Sequence, residues 1–282
     1  MKTYISIVLL ISQFHLNMSA NNTKQRRRHV AADGSVREYN QDLKKWIFIQ
    51  QETEQKTDAP QLAIEGRRFE YNFAQGEFEI NNTPIYILPP ENVRDSTIQT
   101  DGDTGRTVWD AAVVIAKYME TKQNEIQGKR ILELGAGTGL AGLAAAALGG
   151  NVDISDLDYC LPLIINNIQH TTLRSESGGS AAVRELDWTN TNFEATKDTY
   201  DIILGADIVW LEHLVAPLVD VMNELLAINS NLKIILAHQT RSAATDEILF
   251  DLLDKKFVVQ SVKKPEGYKD TRVNLFELYG KE

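Results

Sequence analysis

The residues whose types and spacing point most directly to chemistry form a short glycine-rich stretch. Glu133-Leu-Gly-Ala-Gly-Thr-Gly139 lies between a predicted buried strand, residues 130–134, and a predicted helix, residues 140–148. Glycines in such a turn let the backbone reverse sharply and let a ligand approach without a Cβ in the way. Ligands of open α/β sheets bind in the crevice outside the carboxyl ends of the strands. The stretch, including Ala136, is therefore predicted to be a ligand-binding loop.

The order of the glycines narrows the choice of ligand. A dinucleotide fingerprint that begins at Gly135 and Gly137 would require glycine at position 140, which is Leu140, and no P-loop Gly-Lys-Ser/Thr follows. Glu133 suits a ligand that has a cationic centre and no phosphate. S-adenosylmethionine is such a ligand, since it combines a sulfonium with an amino-acid tail, a ribose and an adenine. A nicotinamide dehydrogenase is the disfavoured alternative.

Two further candidates follow the next predicted strands. Asp156 comes about twenty residues after the glycine loop, where a carboxylate can accept hydrogen bonds from both ribose hydroxyls. That role would serve NAD and S-adenosylmethionine equally well. Asp187 and Trp188 follow the third strand, where the carboxylate could bind the adenine amino group and the indole could lie along the ring. The alternative for this pair is a purely structural role.

Asp207-Ile-Val-Trp210 follows the predicted strand 200–206, which ends at Ala206. A carboxylate there can orient a nucleophilic amine, and a lysine amine, with an ordinary pKa of about 10.4, must lose a proton before it attacks. The indole of Trp210 would favour a cation through a cation–π contact of about 0.5–2 kcal/mol. A helix-capping Asp207 and a core Trp210 are the alternative.

Other polar and aromatic positions give weaker signals. Trp109 lies at the start of a predicted helix, 108–121, where it is either a core anchor or a site residue. His238 ends the predicted strand 232–238, and a hydrogen-bonded strand-end histidine is preferred over one that lines a substrate entrance. One cysteine and scattered histidines predict no metal site. The absence of a G-x-S-x-G elbow leaves a hydrolase without a nucleophile.

Alternating strands and helices must position these residues. Strands are predicted at 130–134, 151–155, 182–186, 200–206 and 232–238, and helices at 108–121, 140–148, 157–169, 213–228 and 245–255. This pattern predicts an α/β fold with a mostly parallel sheet and helices on both faces. Adjacent strands at 257–262 and 273–279 predict an antiparallel edge.

The region before residue 101 has a different character. Residues 1–60 are predicted to be a poorly structured polar arm, with a short helix or strand at 40–50, and residues 61–100 a β-hairpin lead-in built from strands at 62–73 and 78–88. Residues 101–282 then form the catalytic domain. Arg26, Arg27 and Arg28 are predicted to lie in a solvated arm, with nuclear localisation or partner binding as the alternative.

The overall composition limits the classes of function. The chain has 282 residues, 43% hydrophobic and 24% charged, which is ordinary for a globular protein. A net charge of −10 argues against non-specific nucleic-acid binding, which depends on Lys and Arg. The single cysteine, Cys160, excludes an internal disulfide and fits a reducing compartment.

The apolar run at residues 4–11 (YISIVLLI) is far shorter than the roughly 20 residues of a membrane helix. We interpret residues 1–17 as lying outside the fold, or as preceding a translation start at Met18. A secretory signal cleaved near Ser19 and Ala20 is the alternative. A cytoplasmic location is expected, with the nucleus as a second site.

Five motifs occur in a recognisable order. They are Thr107-Val-Trp109-Asp-Ala-Ala, Leu132-Glu-Leu-Gly-Ala-Gly-Thr-Gly139, Ile154-Ser-Asp156, Leu186-Asp-Trp188 and Leu204-Gly-Ala-Asp207-Ile-Val-Trp210. Together they resemble the seven-β-strand S-adenosylmethionine-dependent methyltransferases of family 16, and within that family the methyltransferase-like 21 group of protein-lysine methyltransferases. The resemblance covers about residues 65–280, and the set is specific although no single motif is.

The resemblance implies a Rossmann-like class I methyltransferase sheet of seven strands with a reversed last strand. It implies that Asp207 and Trp210 form the Asp/Glu-x-x-aromatic motif of the active site, with Trp where Tyr is commoner. That leaves an aromatic wall and removes any role for a phenolic hydroxyl. Cofactor contacts are implied for Trp109, Gly135, Ala136, Gly137, Asp156, Trp188 and Ala206.

The function expected from the residues and the resemblance together is transfer of the sulfonium methyl group to the side-chain nitrogen of a lysine in a protein. Chaperones, ATPases and translation factors are the protein classes that the resemblance implies as substrates. We expect a monomer that binds neither nucleic acid nor membrane. A small-molecule N-methyltransferase on the same fold and a cofactor-binding interaction protein without activity remain as alternatives.

Overall fold

The computed structural model describes a defined part of the chain. It covers residues 28–30, 36–40, 45–49, 69, 71–89, 105, 107–173, 178–190, 193, 198–269 and 271–281. The chain divides into two compact units, residues 1–56 and residues 57–282. The predicted strand at 62–73 lies mostly outside the described residues. Residues 1–27, with the apolar run, Arg26 and Arg27, lie wholly outside them, and Arg28 is the first described residue.

The first unit contains a small antiparallel sheet. Its strands are β1 Arg28–Val30, β2 Val36–Asn40 and β3 Lys45–Ile49, paired in the order β1-β2-β3. The sequence predicted an irregular polar arm here, with one short element at 40–50. Three short strands of mixed polar composition give little periodic signal, which is why only the most apolar of them, β3, was expected.

A second small hairpin opens the described part of the larger unit. Its strands, β4 Glu79–Ile80 and β5 Thr83–Pro84, flank Asn81 and Asn82, whose φ angles are 49° and 56°. Asparagine tolerates this left-handed conformation, and two such residues in succession match the twist of a tight hairpin. The Lys117 side chain donates a hydrogen bond of 2.7 Å to the Glu79 carbonyl, which ties the hairpin to the first long helix.

Seven strands form the central sheet. They are β6 Arg130–Leu134, β7 Asn151–Asp156, β8 Ser180–Glu185, β9 Ile202–Ala206, β10 Lys233–His238, β11 Phe257–Ser261 and β12 Asn274–Gly280. Their order is β11-β12-β10-β9-β6-β7-β8, and β12 runs antiparallel to both of its neighbours while the other pairs are parallel. The mostly parallel sheet and the reversed last strand are confirmed.

The helices are α1 Asp110–Glu120, α2 Gln123–Ile126, α3 Leu140–Ala147, α4 Leu161–His170, α5 Glu212–Ile228 and α6 Ala243–Lys256. Two apolar clusters divide them: α1, α3 and α4 pack in one, and α5 and α6 in the other. Every residue of α3 is buried, because its alanines let the helix backbone approach the sheet closely. Among the helices of the described residues, none is long and apolar enough to cross a membrane.

The strand order places the crevice of the sheet. From β6 the chain runs outward through β7 to β8, and it then returns to the other side of β6 with β9 and β10. Such a reversal leaves the loops after the two central strands pointing apart, and ligands of open α/β sheets bind there. The loops after β6 to β10 carry the candidate residues and meet at this edge.

Candidate active site

The glycine loop after β6 is held in a conformation that only glycine adopts readily. Gly135 and Gly137 have φ angles of 59° and 56°, in the left-handed region. A Cβ at Gly135 would lie 3.0 Å from the side chains of both Ile208 and Trp188, and one at Gly137 would lie 3.0 Å from the Gly105 carbonyl oxygen. The loop is therefore in close contact with three other segments, and a larger residue would displace it.

Backbone hydrogen bonds fix the loop to the next strand. The Ala136 N–H donates to the Ser155 carbonyl over 2.9 Å, and the Ser155 hydroxyl donates to the Glu133 carbonyl over 2.5 Å. Sequence reasoning missed Ser155, whose side chain is fully buried between β6 and β7. Its only signal is its position directly before Asp156.

Glu133 lies under the loop. Its side chain is 2% exposed and accepts a hydrogen bond of 2.9 Å from the Gly142 N–H, in the first turn of α3. Burial raises the pKa of Glu133 to about 8, against the opposing effect of these backbone donors. The carboxyl group is consequently mostly protonated at neutral pH. The sequence predicted that the charge of Glu133 would face a cationic ligand. In the structure its carboxyl group is bonded instead to the backbone of α3.

Asp156 ends β7 and joins it to the loop. One carboxylate oxygen accepts from the Gly137 N–H over 2.7 Å, and the other accepts from the Leu157 N–H, also over 2.7 Å. These bonds fix the plane of the carboxylate at the rim of the crevice. Asp156 and Gly137, which the sequence predicted to act on one ligand, are in direct contact.

The segment after β8 supplies an aromatic surface. The indole of Trp188 lies against Gly135, as the 3.0 Å approach of its ring to the position of an added Cβ shows. Asp187 closes a local turn instead: its Oδ1 accepts from the Thr189 N–H over 2.9 Å and from the Thr189 hydroxyl over 2.5 Å. Trp188 is therefore joined to the loop, and these two hydrogen bonds of Asp187 lie within its own turn.

Asp207 lies at the tip of β9, directly after Ala206. Its φ of 55° is unusual for a non-glycine residue, and its N–H donates to the Ala237 carbonyl over 2.8 Å. A strained backbone held by its surroundings is a frequent feature of functional sites. The next residue, Ile208, is the one that touches Gly135, so Asp207 is fixed beside the glycine loop.

Arg241, in the loop between β10 and α6, is a residue that sequence reasoning missed. Its Nε and one terminal nitrogen donate to the two carboxylate oxygens of Asp207. Its guanidinium lies over the ring of Trp109, 5.0 Å from the centroid. Its position in the sequence offered one signal: Arg241 is a basic residue three positions after the end of β10, at the edge of the sheet where Asp207 was already predicted to lie.

The remaining candidates take distinct positions. His238 is 1% exposed, and its Nε2 lies 2.8 Å from an oxygen of Asp246, whereas its buried Nδ1 has no hydrogen-bond partner among the described residues. The interpretation as a hydrogen-bonded strand-end histidine therefore holds at one ring nitrogen. Trp210 is partly exposed, whereas Ile208 and Val209 before it are buried. Within the described ranges, no group of three or more His, Cys, Asp or Glu side chains is arranged to hold a metal ion.

Comparison with known proteins identifies the family. A family model described as lysine methyltransferase matches residues 93–256, more than half of the chain. The chain belongs to the lysine methyltransferase family. The methyltransferase is 37% identical to the protein N-lysine methyltransferase METTL21A of Danio rerio over 155 residues, which are 55% of this chain and 69% of that protein. It is 35% identical to the EEF1A lysine methyltransferase 3 of Mus musculus over 176 residues, 62% of this chain and 72% of that one.

S-adenosylmethionine is the methyl donor of this methyltransferase, and the site has features that fit it. Gly135 and Gly137 hold the loop in a left-handed conformation, and a Cβ at either position would press on Trp188, Ile208 or Gly105. Asp156 presents a carboxylate held by the loop itself. The indole of Trp188 offers an apolar surface beside the same loop.

Proposed function

We propose that this chain methylates the side-chain nitrogen of lysine in a protein substrate, with Asp207 and Trp210 at the acceptor position. The observation that carries the assignment of residues is the placement of Asp207. Its strained backbone is fixed at the tip of β9, and Ile208 packs directly on the glycine loop. A carboxylate and a donor-binding loop are thereby held side by side.

In the donor half of the site, the chain acts by binding and orientation. The bound S-adenosylmethionine supplies a methyl group already activated by the positive charge on sulfur. Gly135, Ala136 and Gly137 would present their backbone to it, and Asp156 would accept hydrogen bonds from the ribose hydroxyls. Trp188 would bind the adenine ring and Asp187 its amino group, while Trp109 and Ala206 would complete the walls.

In the acceptor half, the chain positions the amine. Asp207 accepts a hydrogen bond from a lysine N–H, which directs the nitrogen lone pair towards the methyl group. Trp210 forms an aromatic wall, which favours the cation that develops on nitrogen. Because the methyl group is already activated, positioning supplies much of the rate, and well-oriented groups can contribute about 7–11 kcal/mol.

The substrate proposal is a chaperone, an ATPase or a translation factor. The name of one relative, EEF1A lysine methyltransferase 3, supports the last of these classes. The net charge of −10 suits a basic acceptor region. We assign the reaction to residues 101–282, with residues 61–100 as a lead-in, in a cytoplasmic monomer that binds neither nucleic acid nor membrane.

Lysate labelling tests the function. The full chain and the Asp207→Asn variant are incubated with tritiated S-adenosylmethionine and a cell lysate, and macromolecules are separated from small molecules. We expect a discrete labelled protein band with the wild type and none with Asp207→Asn. Label in the small-molecule fraction would instead establish a small-molecule methyltransferase. Donor binding by calorimetry without any labelled acceptor would indicate an inactive binding protein.

A further inference from the structure

The ion pair between Arg241 and Asp207 occupies the acceptor side of the site. The guanidinium engages both carboxylate oxygens with two different nitrogens, which is the fork geometry that a lysine cannot reproduce. The face of Trp109 supports the same guanidinium at 5.0 Å. Arg241 thereby joins the loop after β10 to the segments before α1 and after β9.

The two side chains of this pair differ in exposure to solvent. The side chain of Asp207 is 4% exposed and that of Arg241 is 26% exposed. The backbone of Asp207 is fixed by its left-handed φ and by its bond to Ala237, so its carboxylate has little freedom to turn away. The pair as a whole carries no net charge.

Other charged groups lie on the elements that carry the pair. Asp110 opens α1 directly after Trp109, Glu212 opens α5, and Asp246 lies in the first turn of α6. Asp246 is held by His238 Nε2 over 2.8 Å and by the Thr240 hydroxyl over 2.6 Å. The cation that the structure pairs with Asp207 is therefore Arg241.

We propose that Arg241 is a positioning residue of methyl transfer: it orients the Asp207 carboxylate and cancels its charge, so that the acceptor lysine is bound as a neutral amine. This inference rests on the proposed function. An uncompensated carboxylate beside an amine raises the pKa of the amine by about 1–3 units and holds it as an ammonium, which has no lone pair for attack. With Arg241 in place, the carboxylate still accepts an N–H, because a carboxylate has about four acceptor positions.

The chemistry of the step agrees with a neutral pair. The nitrogen lone pair forms the new N–C bond as the C–S bond breaks, and the electron pair of that bond stays on sulfur. The positive charge passes from sulfur to nitrogen, and the ammonium product later loses a proton to solvent. The total charge in the site stays constant during transfer. A site in which the charges of Asp207 and Arg241 cancel can therefore bind the amine in its neutral form without opposing the reaction.

The test is the pH dependence of kcat, which reports the ionisation of groups in the bound complex. Wild type, Arg241→Gln and Arg241→Lys are compared between about pH 6.5 and 9.5, with the acceptor protein identified by labelling. Arg130→Gln is the matched control, because Arg130 is also partly exposed but lies at the amino end of β6, on the opposite edge of the sheet. Calorimetry with S-adenosylmethionine and thermal unfolding establish that each variant is folded and binds the donor.

In Arg241→Gln we expect the rising limb of the kcat profile to move to higher pH by about one unit, so that kcat falls about tenfold at pH 7.5 and recovers in alkali. Arg241→Lys keeps the charge without the fork, so its limb stays near that of the wild type with a lower plateau. Arg130→Gln matches the wild type.

The proposal would be overturned if kcat of Arg241→Gln were lower at every pH while the rising limb of its pH profile stayed where it is in the wild type. It would also be overturned if Arg241→Gln were faster than the wild type at pH 7.5, because the guanidinium would then be blocking the site. If Arg241→Gln does not fold, Arg241→Lys decides: a limb shifted upward by a unit despite the retained charge contradicts the proposal, and an unshifted limb supports it. A wild-type enzyme that labels no acceptor would refute the proposed function and not this inference.

Discussion

Buried charges gather at both edges of the central sheet, and the two clusters are built differently. At the amino end of β10, Glu277 accepts from the hydroxyls of Tyr118 and Tyr279 over 2.7 and 2.6 Å and lies 2.5 Å from the ammonium of Lys233. At the carboxyl end, Asp207 has a strained backbone, a single cation and glycines beside it.

The difference distinguishes a cluster that stabilises the fold from one that lies at the ligand-binding crevice. Burial alone would raise the pKa of Glu277, but the bonds from Lys233, Tyr279 and Tyr118 lower it to about 2. These partners join α1 to β10 and β12. At the carboxyl edge, by contrast, burial raises the pKa of Glu133, and the strained and glycine positions surround a crevice.

The largest effect is expected from a variant that removes the carboxylate of Glu277 at the amino end of β10. Glu277→Gln leaves Lys233 with only the half-exposed carboxylate of Glu125, 2.8 Å away, as its counter-charge, and breaking a buried pair costs about 3–5 kcal/mol. We expect the free energy of unfolding in urea to fall by at least about 3 kcal/mol, while kcat of the folded fraction stays near wild type. A large loss of kcat with unchanged stability would show that the two edges are not functionally distinct.

The next effect concerns the carboxyl edge alone. Asp207→Asn retains the shape of the side chain but removes its charge and replaces one acceptor oxygen with an NH2 donor, so the amine loses the carboxylate that orients it. We expect kcat to fall about a hundredfold or more, with the dissociation constant for S-adenosylmethionine changed by only a few-fold in calorimetry. Unaltered turnover would exclude Asp207 from the acceptor position.

A tighter test of the crevice compares two glycines. Gly137→Ala places a Cβ 3.0 Å from the Gly105 carbonyl, whereas Gly178→Ala, at a similarly left-handed φ of 70°, meets nothing within 4 Å. Both variants carry the same backbone strain, so only the contact differs. We expect the affinity for S-adenosylmethionine to fall about tenfold or more in Gly137→Ala, which is about 1.4 kcal/mol. Equal effects in the two variants would mean that the loop contact is unimportant.

The most gradual effect is a pH dependence of stability. Glu133 has a folded-state pKa near 8, above that of the unfolded chain, so its stabilising contribution is complete below pH 4.5 and is lost as the pH rises towards 8. Between pH 6 and 8 this amounts to about 1 kcal/mol per pH unit. Unfolding midpoints measured across this range should be flatter in Glu133→Gln than in the wild type. Glu277 gives the opposite trend, because its stabilisation is lost as the pH falls towards 2.

Sequence reasoning predicted the sheet well, because most of its strands are short apolar runs that alternate with helices. Residues 130–134 were predicted as a strand and form β6 without a shift, and the adjacent strands at the end of the chain form the antiparallel pair β11 and β12. In the first unit, sequence reasoning found only the segment of β3, as a short helix or strand, and not β1 or β2. Their stability depends on pairing between segments, which leaves little trace in local composition.

The sequence predicted which residues belong to the site, but it did not predict the contacts among them. Asp156, Trp188 and Asp207 each follow a strand in the sequence, and the structure joins them through the glycine loop. The pairing of Arg241 with Asp207 and the protonation of Glu133 depend on burial among distant segments. Neither can be inferred from the spacing of residues along the chain.

Site-resolved mass spectrometry of the labelled acceptor is the most direct test of the central claim. The acceptor protein is incubated with S-adenosylmethionine and either wild type or Asp207→Asn, and every modified residue is mapped. The account predicts methyl groups on the side-chain nitrogen of one or a few lysines with the wild type and none above background with the variant. Methylation at residues other than lysine, or equal lysine methylation by Asp207→Asn, would contradict it.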